Sequence, residues 1–579
     1  MRLAGVAPWL GLALVSAPFL VSIVVLFFIG GRFHAVGDQA LDEMLTRDVG
    51  HHAVYLGPFA RDGWSHLGPA MFYALAVPYR LTGGNSVGLW IGSVAINAAA
   101  VAAMALIAKR HGGTALMMLT LLGCAVLMHA LGADFLRNPW NPYLPVFAFG
   151  ALIFLVWAMA CGDAWALPVG AGVATFCAQT HIGFVILALP LFVAGADWLV
   201  WVATRRRERG NVHPPSRRSL VRAGLITSGV LFVMWLPPMI EELTHSPGNL
   251  TKVVRYFRHP PPGPRYSLWQ GYRVVAGQFW AVPEWVRGVA RPAAFTGEPM
   301  LLHKSPMPLL LAGFVGGSVV LWRRRRDASI HERGWRLAAI VGVALVLGIL
   351  SVARTVGTAF EYRLRWSLLV AMIAMVVAVW GAWTIIEPHI SIALRRRLML
   401  VSLLVLGMLT AADTVAAIGA GTPQQPQSGM VARLAASTLA ALPSGTGDVV
   451  VESPDSIIGN QSGLVLWLER HRVAARVKPS DDVGYGDDRV HRDQLVRAVV
   501  TVASDSNADD LSVRPDQRLI AASGEFSVTA RQTLIAQRRT LAREYKAHQL
   551  STTEYFRRAD ALIGRLGHVT AVFLQVPSA

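Results

Sequence analysis

The sequence predicts an α-helical polytopic membrane protein with about eleven transmembrane helices and a small C-terminal α/β domain on the outer face. Three observations lead there. Hydrophobic residues make up 54% of the 579 and charged residues only 15%, a balance that a soluble domain does not carry. Several apolar runs reach the roughly 18–20 residues that cross a hydrocarbon core of ~30 Å. The net charge of +18 comes nearly all from arginine, clustered beside those runs.

The apolar runs fall near 9–29, 86–108, 114–132, 143–160, 165–179, 182–202, 219–239, 306–322, 337–356, 366–386 and 398–419. The first is longer than the apolar core of a signal peptide and no small-residue cleavage site follows it, so it counts as a span. With the N-terminus cytoplasmic, Lys109 and Arg110, the arginines between 205 and 218, those at 323–326 and 333–336, and those at 395–397 share the cytoplasmic side. That is the positive-inside pattern, so the charge reads as topology and a nucleic-acid role is excluded. Cys124, Cys161 and Cys177 lie in or beside apolar runs, which leaves the C-terminal part without a disulfide framework. The preference for arginine over lysine, with much alanine and glycine, points to a GC-rich bacterial genome and so to a bacterial plasma membrane.

On this assignment residues 1–420 form the transmembrane domain, with long outer loops at 30–85 and 240–305, and residues 421–579 lie outside. Gly68 to Leu81 is apolar enough for a short interfacial helix. The loop 240–305 is rich in Tyr, Trp and Phe, which favour the headgroup zone, and His259-Pro-Pro-Pro-Gly-Pro264 stays extended. Thr422 to Ser428 reads as a linker. Strands at 448–452 and 473–478 flank a helix at 457–472, which makes a βαβ unit. A strand at 495–503, a helical stretch at 529–565 and a strand at 569–576 complete the domain. There is no internal repeat, and so no sign of a two-halved transporter plan.

The residues able to do chemistry gather on the outer side. Asp38 follows the first span by a few residues, where a low dielectric raises a carboxylate pKa toward a general-base value. The bland reading is a solvated acid or a helix cap. Arg61 can pair with a phosphate, and His66 can if protonated. Arg137, Asn138, Trp140, Asn141 and Tyr143 combine a cation, amides and aromatics, a set that suits a sugar and equally a rigid turn. Gln179 and His181 sit between two apolar runs, where polar groups line a cavity or satisfy one another. Glu241 and Glu242 end the seventh run facing outward, as acceptor ligands or as a solvated helix end. Arg354, Glu361, Arg363 and Arg365 lie outside against the positive-inside trend; phosphate binding by Arg354 or Arg363 explains them, with a Glu361–Arg365 pair as the alternative. The acidic loop Asp481, Asp482, Asp487, Asp488 lacks EF-hand spacing, so no metal is assigned to it.

An acid soon after the first span, a long first outer loop and a His-x-x-Pro step entering an interfacial helix together resemble the GT-C glycosyltransferases, which include protein-mannosyl and aminoarabinose transferases. The stretches Gly37-Asp38-Gln39-Ala40, Leu56 to Tyr73 and Trp140-Asn141-Pro142-Tyr143 look like those of uncharacterised actinobacterial members, and the resemblance covers roughly residues 10–390. It implies an enzyme that takes a sugar from a polyprenyl-phosphate donor and gives it to an envelope glycan, lipid or protein acceptor. It places Asp38 at the first-loop acid, and His66 and Pro69 near the Lys-Pro-Pro segment. Relatives often carry Asp-Glu where this chain has Asp38-Gln39, so a divalent cation lacks its adjacent acid pair and no cofactor is assigned. The mechanism implied is an inverting displacement with Asp38 as the base. The rival class is non-catalytic, a lipid-linked-sugar transporter or envelope assembly factor, which would place ionisable groups near the midplane. Topology is checked by cysteine accessibility: Ser246→Cys is labelled from outside, and Ser329→Cys only from the cytoplasm.

Overall fold

The computed structural model describes residues 2–60, 62–204, 215–280, 282–288, 309–455, 459–481, 484–492, 494–523, 528–566 and 569–576. Helix α1 (Arg2–Ile29) is followed by α2 (Asp38–Asp48), an antiparallel hairpin of β1 (Phe59–Ala60) and β2 (Trp64–Ser65), and α3 (Ala70–Leu81). Then come α4 (Val87–Leu131), α5 (Ala133–Arg137), α6 (Pro145–Ala160), α7 (Ala166–Thr180), α8 (Val185–Thr204) and α9 (Arg217–Thr244). The short α10 (Asn249–Arg258), α11 (Leu268–Gly277) and α12 (Glu284–Arg287) precede α13 (Leu309–Arg323), α14 (Ser329–Ala353), α15 (Trp366–Ile386) and α16 (Ile392–Gly419). The C-terminal part runs α17 (Gln425–Ala441), β3 (Asp448–Glu452), α18 (Gly459–Arg470), β4 (Ala475–Arg476) and β5 (Val496–Ser504). It ends with α19 (Asp505–Leu511), β6 (Arg518–Ala522), α20 (Val528–Lys546), α21 (Thr552–Leu566) and β7 (Thr570–Gln575).

The chain divides into two compact units: Met1–Gly30 with Val49–Gly421, and Gly31–Asp48 with Thr422–Ala579. The second boundary falls where the composition changes. The segment Gly31–Asp48, which the sequence groups with the membrane part, clusters instead with the C-terminal part.

In the first unit the apolar runs are helical where they are described, apart from a few residues at their ends, and among the described residues seven helices are long and apolar enough to cross a membrane. This is a multi-pass membrane protein. Helix α4 has 45 residues, about 68 Å if straight and over twice a hydrocarbon core. Gly113 breaks it at φ 77° and ψ −171°, a conformation that glycine tolerates. The two halves double back, because Ser93 and Asn97 near its start donate to the carbonyls of Asn138 (3.0 Å) and Leu136 (2.8 Å) just past its end. At the bend Arg110 grips Asp163 through Nε (2.7 Å) and Nη2 (3.1 Å). The Lys-Arg-His punctuation between runs 86–108 and 114–132 is this turn. Helix α6 is apolar all round because every one of its residues is buried among other helices, whereas α9 and α16 bury little of their length, as lipid-facing helices do.

The second unit is built on a five-stranded sheet of order β4-β3-β5-β7-β6. Strands β4, β3 and β5 are parallel, which is the expected βαβ unit extended by one strand; β7 is antiparallel to β5 and β6. Three local expectations change. Helix α17 begins at Gln425, inside the expected linker, with Pro426 in its first turn, where the missing N–H costs no helical bond. The helical stretch 529–565 is two helices, parted where His548 takes φ 57° and joined by Tyr545 stacking on Tyr555 at 4.4 Å. Strand β6 and helix α19 come from a polar stretch without clear periodicity.

Helix α2 is held by charge as well as by burial of Ala40, Leu41 and Met44. Arg489, 5% exposed, donates to both oxygens of Asp48 (2.6 and 2.9 Å), to Glu469 (2.9 Å) and to the Tyr485 carbonyl (2.9 Å). Glu43, fully buried, pairs with Arg470. A buried ion pair that loses one member leaves a desolvated charge behind. Asp48→Ala is therefore expected to destabilise the second unit by ~3–5 kcal/mol. Arg557→Ala on exposed α21 leaves the midpoint unchanged; thermal unfolding of the purified chain reads both.

Candidate functional site

Two glycines seat the loop that leads into α3 in the first unit. A Cβ on Gly57 would lie 2.6 Å from the Gly68 carbonyl oxygen and 2.8 Å from that of Gln179, and one on Gly68 would strike the Gln179 side chain at 2.4 Å. Without side chains, the loop presses onto the end of α7. There the buried Gln179 amide accepts from the Ala70 N–H (3.2 Å) and donates to the Met234 carbonyl (2.8 Å), which ties the start of α3 to α9. Between the glycines, the Gly57 N–H donates to the His66 carbonyl (3.0 Å) and the His66 N–H to the Pro58 carbonyl (2.9 Å) across the hairpin. The repeated Leu-Gly-Pro pattern is a seat, and it carries Trp64 and His66.

His66 is buried and its Nδ1 accepts from the Ile182 N–H at 3.0 Å. His181 is also buried and accepts from the Gly183 N–H at 3.1 Å, capping the turn into α8. The two rings lie 4.8 Å apart. With each Nδ1 serving as acceptor, the ring proton sits on Nε2, and both are neutral donors. Burial pushes His66 down to about 3, with the Arg363 charge adding to it. Burial likewise holds His181 well below the histidine range, with His66 and Arg363 contributing. Desolvation thus works against the protonated His66 that pairing with a phosphate requires.

Arg363 stands beside this pair in a half-buried turn between α14 and α15. Its guanidinium lies 5.5 Å from the Phe360 ring and 5.8 Å from the Tyr362 ring. Tyr362 packs on Trp140 at 4.7 Å, and Trp140 on Tyr143 at 5.1 Å. On the histidine side, Trp64 meets His66 at 5.5 Å and Tyr256 at 5.6 Å. Burial, then Asp62, pushes the Tyr256 phenol up to about 12, so it stays a neutral donor. The Glu361–Arg365 pair expected as an alternative does form, at 2.8 Å, and it leaves Arg363 out. Among the described residues no carboxylate pairs with Arg363. Among the described residues the arrangement offers the Arg363 cation, neutral donors and aromatic faces, with the Asp62 carboxylate on the Tyr256 phenol.

The other expected residues are placed elsewhere. Arg61 lies outside the described residues. Arg137 is committed within the first unit: it donates to Asp134 (2.6 Å) and to the Ala420 and Gly421 carbonyls (2.8 Å each), with Trp90 under its guanidinium. Asn141 is buried in the turn between Trp140 and Tyr143, and Arg354 is exposed at the end of α14. Glu241 accepts from the Asn249 N–H (2.8 Å) and Glu242 from that of Leu250 (2.8 Å), so both acids close the first turn of α10, where carboxylates suit the helix dipole. Asn249 in turn exchanges two bonds with the Ser65 backbone, each 2.8 Å. Asn249, Trp64 and Tyr256 were assigned no site from sequence. The only sequence signal for Trp64 is its place between the two seating glycines.

Asp38 belongs to the second unit. It is exposed as the first residue of α2, after Gly37 at φ 59°. The acid that the fold desolvates is Asp42, one turn on: burial, then the Asp38 charge, holds its carboxyl well above the carboxylate range. Among the described residues no group of three or more His, Cys, Asp or Glu stands together as a metal-binding set.

The fold is similar to that of ArnT from Cupriavidus metallidurans. The structure bound to undecaprenyl phosphate matches with TM-score 0.52 at 15% identity, over 87% of this chain and 95% of that one. The apo structure matches with TM-score 0.51 at 14% identity over the same shares. No family model and no curated protein matches the chain. At such identity the likeness shows the fold alone: the chain is folded as ArnT is.

Between the folded value of about 3 and the ordinary 6.5 of a histidine, the unfolded chain binds the proton that folded His66 refuses. Stability therefore falls as pH drops through this window. Melting of the purified chain from pH 7.5 to 4.5 is expected to show this slope, and His66→Asn, which keeps an acceptor for Ile182, is expected to flatten it.

Proposed function

We infer that this chain, folded as ArnT is, is a membrane glycosyltransferase that moves a sugar from a polyprenyl-phosphate donor to a cell-envelope acceptor on the outer face. The observation that carries the reading is Arg363, a half-buried cation with no carboxylate partner among the described residues, beside two neutral histidines and a run of aromatic rings. A guanidinium in such a low-dielectric setting favours an anionic headgroup, and neutral donors with aromatic faces suit a sugar ring. The carrier class is supported by the undecaprenyl phosphate bound to ArnT. The outer-face assignment rests on the cytoplasmic arginine clusters.

The chemistry is a single displacement at the anomeric carbon. The acceptor oxygen forms the new bond as Asp38 takes its proton. The bond from that carbon to the phosphate oxygen breaks, and the prenyl phosphate leaves with the electron pair. Arg363 stabilises the charge that develops on the departing phosphate. His66 and His181 stay neutral, so they donate hydrogen bonds without competing for the acceptor's proton. General-base help of this kind contributes ~10²–10⁴-fold.

A panel of undecaprenyl-phosphate sugars labelled in the sugar tests the reading on purified chain. Asp38→Asn is expected to lose ~10²–10⁴-fold in turnover while donor binding persists. Arg363→Gln is expected to weaken donor binding by about tenfold or more, as loss of a charged hydrogen bond does. Equal turnover in wild type and Asp38→Asn removes Asp38 from the mechanism. Silence from correctly inserted wild type with every donor shifts the assignment to a non-catalytic handler of lipid-linked sugars.

A further inference from the structure

Asp38 is exposed, yet the residue before it is hydrogen-bonded at both its N–H and its carbonyl. The Gly37 N–H donates to the Gly459 carbonyl at 2.7 Å. The Gly37 carbonyl accepts from Ala40 N (3.0 Å) and Leu41 N (3.3 Å), which starts α2, and also from the Ser462 hydroxyl at 3.0 Å. Both the partner carbonyl and the hydroxyl come from the first turn of α18, and Ser462 is fully buried. The approach is close along the segment before Asp38. A Cβ on Gly463 would stand 3.0 Å from the Ala35 carbonyl oxygen. Gly37 itself sits at φ 59°, where a side chain is strained. Lower on α2, Glu43 pairs with Arg470 at the far end of α18, so one helix grips the other at both ends.

We propose that α18 is the positioning element for the catalytic acid, with Ser462 and Gly459 setting the direction of the Asp38 carboxylate through the Gly37 peptide. This rests on the reading of Asp38 as the base. A base must be held within a fraction of an ångström of the proton it takes, and a loop residue just beyond a span has no rigidity of its own. The C-terminal domain supplies that rigidity. Ser462 touches no reacting atom; its effect passes through the backbone.

The test uses full-length chain and a labelled undecaprenyl-phosphate sugar that the wild type turns over, together with hydrogen exchange across residues 37–48. Ser462→Ala is expected to lower kcat by about tenfold to a hundredfold with KM for the donor unchanged, the scale of a small misplacement. It is also expected to speed exchange at the Ala40 and Leu41 amides. Ser462→Thr, which keeps the hydroxyl, restores both. If Ser462→Ala fails to fold, Glu43→Gln at the other end of the grip replaces it with the same expected readings. Wild-type kcat in Ser462→Ala beside an inactive Asp38→Asn overturns the proposal, as does a kcat loss that Ser462→Thr fails to repair. Full turnover by Asp38→Asn overturns the base assignment itself, and the proposal with it.

Discussion

The membrane unit depends on one buried amide. Gln179 sits at the end of α7 with nothing but protein around it, and an amide so placed costs free energy unless both its ends are bonded. Its two bonds, to the Ala70 N–H and the Met234 carbonyl, join three elements that are far apart in sequence. Gly57 and Gly68 make this possible because any Cβ at either position would push the loop away. Once the loop is seated, Trp64 and His66 have one place to go, and the backbone donors of the α7–α8 turn meet the histidine pair.

The same desolvation sorts the charges of that unit. Arg365 is taken by Glu361, and Arg137 by Asp134 and two carbonyls, so each is satisfied within the fold. Arg363 instead rests against aromatic rings. Its charge, added to burial, keeps His66 and His181 neutral. A cation beside neutral donors is the electrostatic pattern that suits a phosphate carrying a sugar.

The division of the chain splits the stretch between α1 and α3. Its first part, Gly31–Asp48, packs with the C-terminal domain, and its second part folds with the membrane helices. The proposed acid and the proposed phosphate contact therefore belong to different units, each organised by its own core. Asp42 shows how far α2 has been absorbed: a carboxyl one turn from Asp38 is buried deeply enough to hold its proton well above the usual range.

Periodicity and charge placement alone determined the membrane class, the helical runs, the βαβ unit and the change of character near 421. These are local properties, because hydrocarbon thickness and backbone hydrogen bonding act on every segment separately. They also singled out Arg354 and Arg363 together, by their position against the charge trend. They did not reveal that His66 is neutral, that Glu241 closes a helix, that Arg137 is committed, or that α2 belongs to the far end of the chain. Those turn on which groups meet, eight residues apart for Glu241 and a hundred or more apart for the others. Burial and partner choice set protonation and role, and only the tertiary structure brings the partners together.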